Sequence, residues 1–232
     1  MDFKQKLEEY NIEINDEQIE KFDLYMKLLL EWNEKINLTA ITEKDDIILK
    51  HFVDSLTILK YVDESDKIID IGTGAGFPGI PIKIMNEETN ITLLDSLNKR
   101  INFLNIVINE LKLDNIVAIH GRAEELARNK AHREKYDVAV SRAVANLSTL
   151  TEYMLPFIKV GGKCICMKGA NVKEEIDKAK NAIKKLGGQI EIVDNFYLSE
   201  NDNERNIVII KKIKETEPKY PRKAGIPSKE PL

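Results

Sequence analysis

The chain has 232 residues, of which 43% are hydrophobic and 32% charged, and its formal net charge is −4. This length suits one α/β domain with an appended segment, and the weak acidity argues against a dedicated nucleic-acid-binding module, which is usually basic overall. No apolar run resembles a membrane span or a signal peptide, so we expect a cytoplasmic protein without a membrane partner. The sequence leaves the oligomeric state open, and a monomer is the default expectation. The three histidines lie far apart in sequence, so no metal site is expected.

The first 62 residues predict a helical cap. Asn15 and Gln18 have the spacing of a capping box, and apolar residues then recur at helical spacing to about Trp32. A break follows at Asn37, and a second helical pattern begins near Thr42.

Residues 63–214 predict a Rossmann-like α/β domain. Short β-branched runs alternate there with longer amphipathic ones, which indicates a mostly parallel sheet covered on both faces and closed by an antiparallel edge hairpin. The predicted strands are Lys67–Ile71, Ile91–Asp95, Ile116–His120, Tyr136–Ser141, Gly162–Met167, Gln189–Phe196 and Arg205–Lys211, and the predicted helices are Pro78–Met85, Lys99–Leu111, Ala123–Arg128, Leu147–Pro156 and 172–186.

The tail, residues 215–232, carries four prolines among several basic residues and has no periodicity. A segment of this composition has few apolar groups to bury, so we expect it to be mobile in isolation.

The most informative stretch is the turn after the first strand, where Gly72, Gly74 and Gly76 follow Asp70. Glycines allow a sharp strand-to-helix turn and a close approach of ligand to the main chain, and exposed amides at the following helix would favour a polar or anionic group. An ordinary tight turn would look similar. The context of strand, turn and helix favours a nucleotide-like ligand.

The residues that flank the turn discriminate between nucleotides. A dinucleotide fingerprint places Gly or Ala where this chain has Phe77, and a carboxylate at Asp70 would repel a pyrophosphate. The spacing is instead that of class I methyltransferases, in which such a carboxylate orders the turn and the charged amino-acid end of S-adenosylmethionine (AdoMet). Asp95 closes the second strand, where a carboxylate can accept hydrogen bonds from both ribose hydroxyls; a helix cap is the alternative.

Further stretches give a specific resemblance that runs in order along nearly the whole chain. The sequence resembles the bacterial small-subunit (16S) ribosomal RNA guanine-N7 methyltransferases, a family also called glucose-inhibited division protein B. The stretches that carry the resemblance are Trp32–Thr39, His51–Leu56, Asp70–Gly79, Leu94–Arg100, Gly121–Glu124, Ser141–Ala143, Lys168–Gly169 and Tyr220–Lys223.

The resemblance implies AdoMet as methyl donor, S-adenosylhomocysteine as product, and N7 of a guanine in 16S ribosomal RNA or the 30S particle as acceptor. It implies donor contacts at Gly72, Phe77, Ala123, Glu124 and Arg142. The residues alone support most of these: Ala123 and Glu124 follow the third strand, beside the expected adenine, although a surface helix start would look similar. Arg142 follows the fourth strand at the mouth of the same crevice, where a salt bridge to Asp70 or Asp95 is the alternative.

The chemistry implied by the resemblance needs no general base, because guanine N7 carries a free lone pair. We therefore name only Arg142 and Asp54 as candidate catalytic residues. Asp54 would steady the cationic product if it faces the crevice; alternatively, His51, Asp54 and Ser55 only tie the cap to the sheet.

RNA is held by charge and stacking, and four cations are the candidates that we select for this role: Arg122, Lys168, Arg222 and Lys223. Each has an ordinary solvated surface residue as its alternative. Arg122, Arg142 and Lys168 are expected to converge on one rim of the sheet, and the tail is expected to order on the substrate or beside the donor. The rival classes are a small-molecule methyltransferase, a NAD-dependent oxidoreductase and a non-enzymatic ribosome-assembly factor.

Overall fold

The computed structural model describes residues 2–170, 172–199 and 202–232. Its centre is a seven-stranded sheet with the strand order β3-β2-β1-β4-β5-β7-β6, in which the first five strands are parallel and β7 runs antiparallel to both of its neighbours. The strands are β1 (Lys67–Ile71), β2 (Asn90–Asp95), β3 (Ile116–His120), β4 (Tyr136–Arg142), β5 (Ile158–Lys168), β6 (Gly188–Ser199) and β7 (Asp202–Lys212). The predicted mostly parallel sheet with an antiparallel edge hairpin is confirmed.

Helices cover both faces of this sheet. A π-helical turn at Ile48–Val53 joins α3 to α4, and 3₁₀ turns lie at Leu59–Tyr61 and Leu155–Phe157. The α-helices are α1 (Phe3–Glu8), α2 (Asp16–Ile36), α3 (Lys44–Ile47), α4 (Asp54–Leu56), α5 (Gly79–Met85), α6 (Asn98–Glu110), α7 (Ala123–Leu126), α8 (Leu147–Met154), α9 (Val172–Lys185) and α10 (Ile226–Lys229). Among them, none is long and apolar enough to cross a membrane.

Helix α2 begins and ends as its sequence predicts. The Asn15 side chain accepts a hydrogen bond from the Gln18 amide at 2.8 Å, and the Gln18 side chain accepts one from the Asn15 amide at 3.0 Å, so the capping box is formed. The helix ends at Asn37, which has a left-handed backbone. Its buried face presents Phe22, Tyr25 and Leu29 to the core.

The alternation of side chains along each strand divides the core in two. Ile68 belongs to the cluster that joins the sheet to the N-terminal helices, α5 and α6, whereas Ile69 faces the cluster shared with α8 and α9. Cys164 and Cys166 are free thiols buried in this second cluster.

The tail differs from the expected mobile segment, because it packs against the body of the protein. Arg128 donates a hydrogen bond to the Pro221 carbonyl at 2.6 Å, and Arg133 donates to the carbonyls of Tyr220 at 2.8 Å and Thr216 at 2.7 Å. The Tyr220 side chain is buried. Composition did not reveal this docking because the anchoring arginines lie elsewhere in the sequence.

Candidate active site

The glycine turn begins where β1 ends, and its first glycine is required by the packing. Gly72 has φ +69°, and a Cβ atom there would lie 2.5 Å from Cγ2 of Val144, in the loop after β4. Any larger residue would therefore collide with that loop. The close approach brings the connection after β4 against the end of β1, at the point where the strand order reverses.

The turn directs its amides inward. Gly72 and Thr73 donate to the Leu94 carbonyl at 2.8 and 3.1 Å, Gly74 donates to Oδ2 of Asp95 at 3.0 Å, and Gly76 donates to the Thr73 carbonyl at 2.9 Å. The sequence had suggested exposed amides at the start of the following helix, and the structure corrects that expectation. The Gly79 amide donates to Oδ2 of Asp70 at 2.9 Å, and the Ile80 amide donates to the Gly76 carbonyl at 2.7 Å. A pyrophosphate would find these N–H groups already committed, whereas a ligand with hydroxyl or ammonium groups meets carboxylates and carbonyls.

Asp70 lies beneath this turn and is fully buried. Its Oδ2 accepts hydrogen bonds from the Thr73 hydroxyl at 2.7 Å and from the Gly79 amide at 2.9 Å, while Oδ1 is buried without a partner among the described residues. Burial raises the pKa of Asp70 from 3.8 to about 7. Through Oδ2 the Asp70 side chain holds the turn to the start of α5, and Oδ1 remains without a hydrogen bond from any described residue.

This raised pKa makes a prediction about stability. In the unfolded chain Asp70 ionises at about pH 4, so between there and pH 7 the native state binds more protons and its stability falls as the pH rises. Asp70→Asn does not ionise. We expect its unfolding free energy, measured in urea, to improve relative to the parent by about 2–4 kcal/mol between pH 4 and pH 7.5. The exposed Asp23, changed to Asn, is the control; a difference for Asp70→Asn that does not vary with pH would contradict the assignment.

Asp95, at the end of β2, is 2% exposed and hydrogen-bonds to both the glycine turn and the loop that leads into α6. Its Oδ1 accepts from the Leu97 amide at 2.9 Å, and its Oδ2 accepts from the Gly74 amide at 3.0 Å and from Arg100 at 3.1 Å. These contacts fix the carboxylate without exhausting its acceptor capacity. The predicted alternative, a cap of the next helix, is not what the structure shows, since α6 has no side-chain cap.

A cavity opens at the carboxyl ends of β1, β2 and β3. The predicted residues that line it are Gly72, Asp95, Arg122, Ala123 and Glu124. Sequence reasoning missed Val144, Tyr153, Gly225 and Ser228, which line it from the loop after β4, from α8 and from the tail. Of these four residues, only Gly225 has a feature that is visible in the sequence, because a glycine among prolines and basic residues indicates a turn. We call this space the donor cavity.

A second cleft opens at the carboxyl ends of β4 and β5. Three predicted residues line it: Asp54, Arg142 and Lys168. Arg205, from β7, and Lys50 and His51, from the π-helical turn, also line it and were not among the predicted site residues. We call this space the acceptor cleft.

Arg142 connects the helical cap to the sheet inside the acceptor cleft. Its Nη1 donates to Asp54 Oδ2 at 2.8 Å and to the carbonyls of Lys50 and His51 at 3.1 and 3.3 Å, and its guanidinium lies 5.0 Å from the centre of the Phe77 ring. The ion pair is with Asp54, whereas the sequence had offered Asp70 or Asp95 as partners. Asp54 is 3% exposed, and its Oδ1 accepts from Arg205 at 2.9 Å, so one carboxylate is shared by two guanidinium groups.

His51 is a neutral side chain in this network. Its ring stacks on Phe77 at 4.5 Å, its Nδ1 lies 3.3 Å from Nη2 of Arg142, and its Nε2 lies 2.8 Å from the Thr39 hydroxyl. Because Arg142 can only donate, Nδ1 must accept, which places the ring proton on Nε2. Burial, and then the charge of Arg142, lowers the pKa of His51 to about 3.

Arg122, Arg142 and Lys168, which were expected to converge on one rim, lie at or just after the carboxyl ends of β3, β4 and β5 on the same edge of the sheet, where they line two different spaces. Arg122 is exposed and lines the donor cavity, whereas Lys168 lines the acceptor cleft, where it contacts the Ala145 carbonyl at 2.8 Å and Glu175 at 2.7 Å. Arg222 pairs with the buried Glu152 of α8 at 2.7 Å, and Lys223 is exposed. Of the four candidate RNA-binding cations, Arg122 and Lys223 are therefore the most exposed.

The donor cavity fits AdoMet on chemical grounds. Asp95 offers acceptor oxygens of the kind that ribose hydroxyls need, Glu124 offers another at the far end, and Leu94 and Val144 supply apolar walls. The inward-facing amides and the unpartnered Oδ1 of Asp70 suit a ligand with a cationic end rather than a pyrophosphate.

Solved structures with a similar fold include a protein in complex with AdoMet and a methyltransferase that depends on AdoMet. The structure resembles M. jannaschii TYW2 in complex with AdoMet (TM-score 0.56, 14% identity, 75% of this chain and 80% of that one). It also resembles a SAM dependent methyltransferase from Aquifex aeolicus (TM-score 0.55, 14% identity, 75% and 96%). The fold is therefore that of a Rossmann-like class I AdoMet-dependent methyltransferase.

The sequence comparison identifies the family. Residues 18–208 match the GidB family, described as rRNA small subunit methyltransferase G. A relative named ribosomal RNA small subunit methyltransferase G, from Clostridium botulinum (strain Loch Maree / Type A3), is 57% identical over 224 residues, which are 96% of this chain and 94% of the relative. The chain belongs to this family, and it is an AdoMet-dependent methyltransferase of small-subunit ribosomal RNA. This membership decides against the three rival classes.

Proposed function

We propose that the enzyme methylates N7 of a specific guanine in small-subunit ribosomal RNA, and that the acceptor cleft receives this guanine. The observation that supports this proposal is that two side chains of the cleft that could accept a proton, His51 and Asp54, already have hydrogen-bond partners. His51 is neutral with both ring nitrogens engaged, and both oxygens of Asp54 are held by arginines. A ring nitrogen with a free lone pair attacks without losing a proton, so a cleft whose acceptors are already committed suits N7 better than an exocyclic amine.

The donor cavity positions the other substrate. When bound, AdoMet supplies the electrophilic methyl group. Asp95 accepts hydrogen bonds from the ribose hydroxyls, Ala123 and Glu124 read the adenine edge, and Asp70 holds the turn of Gly72, Gly74, Gly76 and Phe77 in the shape that the donor requires. Proximity and alignment then provide most of the rate enhancement, because displacement at a sulfonium needs no further activation.

Four cations and two carboxylates line the acceptor cleft, so its balance of charge suits the anionic RNA backbone. Arg142 lies over the Phe77 ring and is placed to orient the target base, and Asp54 is the anionic group that offsets the positive charge of an N7-methylated guanine. Arg122, Lys168 and Lys223 contribute positive charge to the RNA-binding surface, and Arg222 supports that surface from its pair with Glu152.

Nucleoside analysis tests the proposed acceptor. Small-subunit ribosomal RNA, free and assembled in 30S particles, is incubated with the protein and AdoMet carrying a deuterated methyl group, digested to nucleosides and examined by mass spectrometry. We expect labelled 7-methylguanosine at one site, with large-subunit ribosomal RNA as the unlabelled control. Label in 1-methylguanosine, in 2-methylguanosine or in another base would contradict the N7 assignment.

A further inference from the structure

The C-terminal segment Thr216–Leu232, here called the strap, forms one wall of the donor cavity. Gly225 and Ser228 line the cavity directly, beside Tyr153 of α8. The strap arrives from the other side of the molecule, after the last strand, and it returns to the carboxyl edge of the sheet only because specific groups hold it there.

A buried ion pair fixes the strap shortly before it reaches the cavity. Glu152 is 0% exposed. Its Oε1 accepts from the Arg222 amide at 2.7 Å, and its Oε2 accepts from Nη2 of Arg222 at 2.7 Å. Without Arg222 the buried charge of Glu152 would be unpaired and would destabilise the fold, so this ion pair holds the strap in its position.

Three residues after this anchor, the strap contacts the proposed adenine-reading residue. The Gly225 amide donates to Oε1 of Glu124 at 2.9 Å, and Glu124 is 5% exposed. The other oxygen, Oε2, accepts no hydrogen bond from the part of the chain that the structure describes, and Glu124 lines the cavity. One oxygen of the Glu124 carboxylate therefore accepts a hydrogen bond from the strap, and the other is available to a ligand in the donor cavity.

The backbone of Gly225 explains why a glycine stands at this position. Its φ is +82°, a conformation that other residues rarely adopt, and a Cβ atom there would meet nothing within 4 Å. Space therefore does not select glycine. Glycine is favoured here because the backbone is left-handed, and this backbone conformation points the Gly225 amide at Glu124.

We propose that the strap is a specificity element of the donor site. By holding Oε1 of Glu124, the Gly225 amide positions Oε2 to accept a hydrogen bond from the exocyclic amine of adenine. A 6-oxo purine presents an acceptor at the same place and is rejected. The inference rests on the donor site proposed above, and it assigns to the tail a role in nucleobase selection.

Two truncations of the full chain test this role. The first ends at Lys223 and removes Gly225 while it keeps the pair of Arg222 with Glu152. The matched control ends at Lys229 and keeps Gly225 and Ser228. Calorimetry measures the binding of S-adenosylhomocysteine and of its 6-oxo analogue, S-inosylhomocysteine, and thermal melting confirms folding.

We expect the Lys223 truncation to weaken S-adenosylhomocysteine about tenfold and to change the 6-oxo analogue less than about threefold, because only the adenine complex uses the positioned oxygen. The preference for adenine then falls, whereas the Lys229 truncation retains it. Equal weakening of both ligands would mean that the strap is only a cover, and unchanged affinities would mean that it has no role; either result overturns the proposal.

Two point variants complete the design. Gly225→Ala leaves the chain full-length and disfavours the φ of +82°, so we expect a smaller loss of preference in the same direction. Glu124→Gln tests the underlying donor site, since an amide can also donate to a 6-oxo group. If Glu124→Gln leaves the preference unchanged, the assignment of Glu124 itself fails; if it alters the preference while the truncation does not, only the role of the strap fails.

Discussion

Asp95→Ala is expected to weaken the binding of S-adenosylhomocysteine by at least about 100-fold. The carboxylate would accept two ribose hydroxyls, and hydrogen bonds to a charged acceptor contribute about 1.5–3 kcal/mol each. The same change removes the acceptor for the amides of Gly74 and Leu97, so the cavity also loses part of its shape. Isothermal titration calorimetry at constant pH measures the loss.

Two companion variants separate the ligand contact from the structural one. Asp95→Asn keeps an acceptor oxygen, and we expect it to bind more tightly than Asp95→Ala and more weakly than the parent. Asp114→Ala makes the same chemical change at an exposed position just before β3 begins, and its affinity should equal that of the parent. If Asp95→Ala bound within threefold of the parent while remaining folded, the donor cavity would be wrongly assigned.

The sheet was predictable because its determinants are local. Strands β1, β2 and β4 are short apolar runs that contain β-branched residues and are buried on both faces, so they need no long-range information to be recognised. The same holds for α2, whose capping box and left-handed C-terminus at Asn37 are encoded within a few residues of the helix ends. The π-helical turn at Ile48–Val53 was not predicted, because a period change of one residue leaves no clear signal in a short apolar run.

The docking of the tail could not be predicted from its composition. Its partners are Arg128, Arg133 and Glu152, which lie more than sixty residues earlier and look in sequence like ordinary charged surface residues. The buried carboxylate of Glu152 is compensated only because Arg222 returns to it. Long-range ion pairs of this kind have no local pattern.

The sequence predicted part of the donor cavity: Gly72, Asp95, Ala123 and Glu124 line it. The other residues predicted for the donor are not among its lining residues, and they are Asp70, Gly74, Gly76, Phe77 and Arg142.

Sequence placed Asp70, Asp95, Glu124 and Arg142 at strand ends, where parallel strands bring them to one edge of the sheet. It did not identify Asp54 as the partner of Arg142, since that contact depends on how the helical cap lies on the sheet. It also expected exposed amides at the start of the helix after the turn, whereas the Gly79 amide donates to Asp70 and the Ile80 amide donates to the Gly76 carbonyl.

The loop after β4 separates the two cavities and relates them to each other. Arg142 and Ala143 line the acceptor cleft, while Val144 lines the donor cavity and presses on Gly72. Ala143 has φ +57°, a strained value for a residue with a Cβ atom, and strain of this kind persists only where the surroundings impose it. Adjacent residues of this loop therefore line the two different spaces.

Arg142→Lys is expected to lower the rate of RNA methylation about 100-fold while S-adenosylhomocysteine binds within about threefold of the parent. A guanidinium serves Asp54, two carbonyls of the π-helical turn and the Phe77 ring at once, and a lysine ammonium lacks the planar fork that does so. Misplacing the target base by about 1 Å is enough for such a loss. Single-turnover methylation of small-subunit ribosomal RNA and calorimetry provide the two measurements.

Arg205→Lys is the matched comparison, because Arg205 shares Asp54 with Arg142 and lines the same cleft. Among the described residues Arg205 does not lie over the Phe77 ring and does not hydrogen-bond to His51, so we expect the rate of Arg205→Lys to fall less than about tenfold. Equal losses in the two variants would show that the charge balance around Asp54 matters rather than the orientation of the base. A loss of donor affinity in Arg142→Lys that matched its loss of rate would move Arg142 from the acceptor cleft to the donor site, since an interaction lost equally in binding and turnover belongs to the donor.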